Sequence, residues 1–306
     1  MFSWLFSPLR WVLPQALPPP PKPSPFLDKP WRTYKKEKGK TDEQYNKDLM
    51  EEIKSAQLKG VEAAELLLIG PQQSGKSSFV NSIISIVKGR KAHKTQALHA
   101  DKTVTNRLLK ISGQGDLCKL RLKDTVGIIE ADSPDVTCDY IEAILSGDVK
   151  HREKLSQRVR SSQTTMPAQG PSKQTAHCVI FVVDANVVKW DKDIKGQDKE
   201  SYNTKVKRLM DKVKDMGIPF ILVLTKIDML CEEVENDISV AFKSVAVKEV
   251  VDVAKRIFGF QEIDIYPVKN YEKETTMDPY MDMLFLQAIR HAINYSVDYL
   301  EDLEEN

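Results

Sequence analysis

The stretch Gly70-Pro71-Gln72-Gln73-Ser74-Gly75-Lys76-Ser77-Ser78 constrains this chain more than any other. It satisfies G-x-x-x-x-G-K-[ST] in full, and it lies between an apolar run at 66–69 and a helical pattern over 76–87. A strand that turns sharply into a helix points main-chain amides, and the positive end of the helix dipole, at one spot. Gly70 and Gly75 permit that turn without side-chain bulk. Together with Gln73 and Ser74 they form the floor of a phosphate site. Lys76 is expected to reach the β- and γ-phosphates of a nucleotide, Ser77 to hold Mg²⁺ through its hydroxyl, and Ser78 to meet the α-phosphate.

Two further motifs follow in order. Asp124-Thr125-Val126-Gly127 is a DxxG after an apolar run, which places Asp124 near Mg²⁺ through water and the Gly127 amide near the γ-phosphate. Thr225-Lys226-Ile227-Asp228 ends the apolar run at 218–224 and resembles the guanine-reading [NT]KxD of GTPases. Asp228 would accept from guanine N1–H and N2–H₂, a pattern adenine does not offer. A buried carboxylate left unpaired is costly, so such a site discriminates by roughly 10⁴-fold. The aliphatic stem of Lys226 would cover the base. Val268 and Lys269, at the end of the last apolar run, stand where GTPases supply a backbone amide to guanine O6, without the usual Ser-Ala-Lys.

The order of phosphate loop, DxxG and TKxD resembles the Ras-like GTPase class, which implies GTP or GDP with Mg²⁺ as ligands. It also implies a switch threonine that caps the metal. Thr95, Thr103 and Thr105 are the candidates, Thr103 being favoured because it directly precedes a predicted strand. Ras-like enzymes place a glutamine directly after DxxG to orient the attacking water, whereas this chain has Ile128 and then Ile129. An apolar side chain cannot hold a water. Without that water and an arginine finger, turnover is on the order of 10⁻⁴ per second in Ras itself. Arg90 or Arg107 is available as a finger in cis, and a partner protein is the other source. No catalytic residue is assigned, and binding is better supported than turnover.

Short apolar runs alternate with longer helical patterns from about residue 41 onward. The runs at 179–183 and 220–224 are continuous Val, Ile, Leu and Phe, as expected for central strands buried on both sides. The runs 104–111 and 118–122 flank Ser112-Gly113-Gln114-Gly115-Asp116, which is turn chemistry. The expected fold is α/β, a P-loop NTPase of Ras-like type. Its sheet has six mostly parallel strands with an antiparallel hairpin at one edge, and helices cover both faces.

Residues 1–40 read differently. Nine of the 16 prolines fall in the first 30 residues, so this part is expected to be an extended or disordered arm, with the GTPase-like domain spanning 41–306. An apolar patch at its start is broken by Pro8 and contains Arg10, which does not suit a signal peptide. Contact with a membrane surface through residues 1–40, aided by Lys35, Lys36, Lys38 and Lys40, is the lesser reading beside a partner-docking arm. Residues 147–175 form a basic insertion with six Lys and Arg against Asp148 and Glu153.

With 45 Lys and Arg against 44 Asp and Glu, the chain is no globally basic nucleic-acid binder, and nucleic acid is not among its predicted partners. Four cysteines in 306 residues, none in CxxC spacing, fit a reducing compartment.

A closer resemblance rests on specific segments. They are Phe26-Leu27-Asp28-Lys29-Pro30-Trp31-Arg32, the loop from Gly70 to Ser78, His177 to Ala185, Asp264-Ile265-Tyr266-Pro267-Val268-Lys269-Asn270-Tyr271, and the helical stretch containing Asp278-Pro279, Leu284, Ala288-Ile289-Arg290 and Asp298 to Leu303. Over about 26–303 the chain resembles the interferon-induced protein 44 and 44-like family. That resemblance implies a cytoplasmic protein of the antiviral interferon response, built on a GTPase-like domain, whose protein partner is unspecified. Two readings remain: a GTP-binding switch with slow hydrolysis, and a non-catalytic interaction protein whose nucleotide site is vestigial.

Overall fold

The computed structural model describes residues 23–34, 38–92, 109–112, 115–125, 127, 134–145, 176–190 and 202–305. Within them the elements run α1 (Asp42–Ser55), β1 (Ala64–Ile69), α2 (Lys76–Lys88), β2 (Leu109–Ser112), β3 (Leu120–Asp124), α3 (Pro134–Leu145), β4 (Cys178–Asp184), α4 (Ala185–Trp190), α5 (Tyr202–Asp215), β5 (Phe220–Thr225), α6 (Glu232–Asn236), α7 (Val245–Phe258), β6 (Ile265–Pro267) and α8 (Pro279–Glu305).

The six strands form one sheet in the order β2-β3-β1-β4-β5-β6. Five run parallel, and β2 lies antiparallel to β3 at the edge with Leu109 opposite Asp124. Every residue of β1 is buried, as are the first six of β4, because both strands are covered on two faces. Pro267 is tolerated in β6 because that strand is the other edge, where a missing donor leaves no neighbour unpaired.

One helical layer is α2 and α8, with α1 packed on the outside of α8; α3, α5 and α7 lie side by side in the other. Phe79 of α2 meets Phe285 of α8 at 5.2 Å between ring centroids, and Phe181, Phe220 and Phe260 continue edge to face through the sheet. α1 begins with a full capping box between Thr41 and Gln44. The acidic end of α8 is helical to Glu305, and Glu301 and Glu304 face Lys59 at 3.8 and 3.7 Å.

The part of the expected arm at 24–34 is packed on the domain. Phe26 bridges to Ser244, Leu27 N–H donates to the Lys243 carbonyl at 2.8 Å, and Trp31 N–H donates to Phe242 O at 2.9 Å. The Trp31 ring meets Phe242 edge to face at 5.1 Å, and the Arg32 guanidinium lies over Trp31 while donating to the carbonyls of Ile265 and Glu262. Proline forbids helix here but leaves carbonyls and aromatic rings free to dock, and these docking groups hold the segment as a strap. Residues 1–22 and the insertion at 147–175 lie outside the described residues.

Candidate nucleotide site

Parallel strands deliver their C-terminal ends to one rim of the sheet, so the turns after β1, β3, β5 and β6 meet there. The loop after β1 runs into α2, whose N-cap is Gly75 with φ +92°. A Cβ at Gly70 would stand 2.0 Å from the carbonyl oxygen of Val182, and one at Gly75 would stand 2.8 Å from Nδ2 of Asn270. Gly70 is therefore required by the close approach of the Val182 backbone, and Gly75 by its left-handed φ together with the side chains packed against it.

Lys76 is buried and folds back over the loop, donating to the carbonyls of Gly70 at 2.9 Å and Pro71 at 2.7 Å. Burial lowers its ammonium to about 8, against the opposing pull of Asp124. Ser77 Oγ donates to Asp124 Oδ2 at 2.7 Å, which brings the two expected metal-side residues together. Burial raises the Asp124 carboxyl, while Lys76 and the Ser77 hydrogen bond hold it down. Ser78 occupies the first turn of α2, where its carbonyl accepts from Ser82 Oγ at 2.8 Å. Gly127 lies against the phosphate loop: a Cβ there would stand 2.5 Å from Gln72 Cα.

The turn after β5 is fastened to the same loop. Thr225 Oγ1 donates to Ser74 O at 2.6 Å. Lys226 Nζ donates to Gln73 O at 3.0 Å and pairs with Asp184 Oδ2 at 2.7 Å. Gln73 and Lys226, with φ of 61° and 58°, are the two non-glycine residues in the left-handed region among those described. Such backbone persists only where its surroundings hold it, and it concentrates at functional sites.

Asp228 is partly buried. Burial raises its carboxyl; its own backbone amide and Lys269 lower it, and Glu272 and Glu274 raise it. Lys269 pairs with Glu274 at 3.1 Å. The Val268 amide donates to Leu224 O at 2.8 Å, so of the two residues expected to offer a main-chain donor to a base, Val268 has its own already given to β5.

The loop then continues through Asn270, whose Nδ2 donates to Gly75 O at 3.3 Å, and Tyr271. Tyr271 N–H donates to Ser82 Oγ at 3.0 Å. The Tyr271 hydroxyl accepts from Asp278 N–H at 2.8 Å and lies 2.7 Å from Asp282 Oδ1.

The donor set suits a nucleotide triphosphate with a divalent cation. Ser74 Oγ, Asp124 Oδ1 and Asn270 Oδ1 are buried without a hydrogen-bond partner, an arrangement native interiors avoid unless a ligand or water completes it. Sequence reasoning did not assign Asp184, Asn186 or Asn270. Asn186 donates to Asp184 and to Lys226 O, so these two residues seat the lysine. Their one sequence signal is an acidic residue that closes an otherwise apolar strand. Thr103 and the other threonine candidates, Arg107, Ile128 and Ile129 lie outside the described residues.

A mostly parallel sheet with a phosphate loop after β1, DxxG after β3 and TKxD after β5 defines a P-loop GTPase domain. The family model described as 50S ribosome-binding GTPase matches residues 65–226, and the chain belongs to that family.

Among curated proteins, the chain is 28% identical over 249 residues to human interferon-induced protein 44-like, covering 79% of this chain and 54% of that protein. It is 27% identical over 252 residues to mouse interferon-induced protein 44, covering 80% of this chain and 58% of that one. The chain spans about half the length of the curated relatives it matches.

Among solved structures it is similar to Toc33 from Arabidopsis thaliana in complex with Mg²⁺ and GMPPNP. That match has TM-score 0.48 and 14% identity, over 83% of this chain and 92% of that one. The FeoB G-domain from Methanococcus jannaschii gives TM-score 0.38 and 16% identity, over 78% and 99%.

Proposed function

We propose that this chain is a cytoplasmic guanine-nucleotide-binding protein of the interferon-induced antiviral response, a switch that binds GTP and GDP more readily than it turns GTP over. The fastening of the 225–228 turn to the phosphate loop carries the reading, because a base-reading carboxylate on that turn would be tethered to the loop that cradles the phosphates. Gly70 to Ser78 would enclose the phosphates, Ser77 and Asp124 would hold Mg²⁺, and Asp228 with the Lys269 amide would read guanine. The cation, when bound, neutralises charge between the terminal phosphates. The biological setting comes from the similarity to interferon-induced protein 44 and 44-like.

Nucleotide released from the purified protein on denaturation and identified by chromatography tests this reading, together with titration by GTP and ATP in Mg²⁺. Guanine nucleotide and a preference for GTP are expected; tighter ATP binding would defeat it. Asp228→Asn should weaken GTP and relax base choice. Ile128, which directly follows Gly127, favours a second reading of a non-catalytic interaction protein. That reading gains if phosphate release stays at background while partner binding ignores nucleotide.

A further inference from the structure

Beside the edge strand β6 a second hollow opens, a cavity of about 790 Å³ between α1, α8 and the strap. That volume is typical of a small-molecule site. None of its lining residues belongs to the nucleotide cleft. From α8 come Gln287, Arg290, His291 and Asn294, whose i, i+3, i+4, i+7 spacing sets four polar side chains in one stripe along the helix. The strap adds Arg32 and Tyr34, and β6 adds Tyr266.

Two arginines meet there. The Arg32 guanidinium lies over the rings of Trp31, Phe242 and Tyr266 at 4.9, 6.0 and 5.7 Å, and it donates to the main-chain carbonyls of Ile265 and Glu262. A guanidinium has five N–H donors, so some remain for a ligand, and among the described residues no carboxylate pairs with this charge. The Glu262 carboxylate is turned to α7, where it pairs with Lys248 at 3.1 Å and Lys255 at 3.7 Å. Arg290 pairs with Glu52 at 3.1 Å, but that glutamate is 55% exposed, and such pairs contribute little. Burial raises the Tyr34 and Tyr266 hydroxyls and lowers the His291 imidazole; the charges of Arg32 and Arg290 also lower all three, so both cations act on one space.

We infer that this cavity is a second ligand site, one that takes a phosphate monoester of a planar ring. Arg32 and Arg290 would grip the phosphate, and the tyrosines of the lining would hold the ring. Guanidinium forks match phosphate oxygens, and a dianion answers two of them where a carboxylate answers one. A bare phosphate would leave most of the cavity unfilled. Because Arg32 and Tyr34 belong to the strap, the occupant would also fasten the strap to α8.

The test titrates phenyl phosphate by calorimetry into the native chain and into the full chain carrying Lys76→Met, in which the phosphate loop is silenced. Binding of about millimolar strength or better is expected in both. Limited proteolysis of the strap at 24–34 should slow when phenyl phosphate is present. Arg290→Met should weaken binding about tenfold or more, the effect of one charged hydrogen-bond partner. Arg32→Lys, which keeps the charge and loses the fork, should also weaken it, and melting curves establish that the variants are folded. No binding in the folded Lys76→Met chain, or binding that neither arginine substitution changes, overturns the site. Inorganic phosphate that binds as tightly as phenyl phosphate overturns the ring-bearing ligand.

Discussion

Lys226 and Gln73, the two non-glycine residues with left-handed backbone among those described, are bonded to each other: the lysine ammonium donates to the glutamine carbonyl at 3.0 Å. Each turn thus keeps a conformation that costs of order 1–3 kcal/mol, and each leans on the other to do so. The base-side turn and the phosphate loop act as one piece.

Removing that bond should loosen both turns. Lys226→Met keeps the aliphatic stem but loses the contact to Gln73 and the partly exposed pair with Asp184. A destabilisation of about 1–2 kcal/mol is expected, with a larger proportional loss of GTP affinity. Urea denaturation and calorimetry measure the two. Equal, small losses in both would mean that the turns are held independently.

Lys76 makes the site sensitive to alkali. Its proton is released near pH 8 in the folded chain, whereas the unfolded chain keeps it to about 10.5. The unfolded state therefore binds more protons across that window, and stability should rise with pH through it, by at most about 1.4 kcal/mol per pH unit. Phosphate needs the charged form, so GTP affinity should fall above pH 8. Lys76→Met should flatten the rise in stability and abolish binding. An unchanged stability profile in that variant would show that another group titrates.

Gly70→Ala should be among the most damaging substitutions in the chain. Its Cβ meets the Val182 carbonyl at 2.0 Å, and backbone in the sheet cannot retreat. A loss above about 3 kcal/mol, or no soluble protein, is expected. Gly217→Ala is the control: nothing lies within 4 Å, and only its φ of +69° opposes the change. That should cost about 1–2 kcal/mol. Chemical denaturation of the two variants compares them.

Trp31→Ala removes the ring that seats the strap against Phe242. A loss of about 1–3 kcal/mol is expected from the lost burial and ring contact. Limited proteolysis should cut near 24–34 sooner than in the native chain. Unaltered cleavage would mean that the main-chain bonds to 242–245 suffice.

The parts legible in the sequence are those set by local chemistry. The apolar runs that became β1, β4 and β5, the loop that opens α2 and the turn after β5 each announce themselves within a few residues. The strap is invisible at that range, because prolines speak only against helix while the groups that hold it lie beyond residue 240. The bond from Thr225 to Ser74 spans 151 positions and follows only from the parallel order of the strands. The contact of Asn270 with Gly75 likewise spans most of the chain and follows only from the fold. The Val268 amide was misread for a related reason: whether a main-chain donor is spare depends on the strand beside it, here β5.

Tyr271 hangs from the head of α8 through Asp278 and Asp282 and rests on α2 through Ser82. The loop from 268 to 271 is thereby a crosspiece between two helices, one of which is the 27-residue α8, roughly 40 Å long. The 268–271 loop therefore cannot shift without disturbing the seating of α8, whose far end lies beside Lys59.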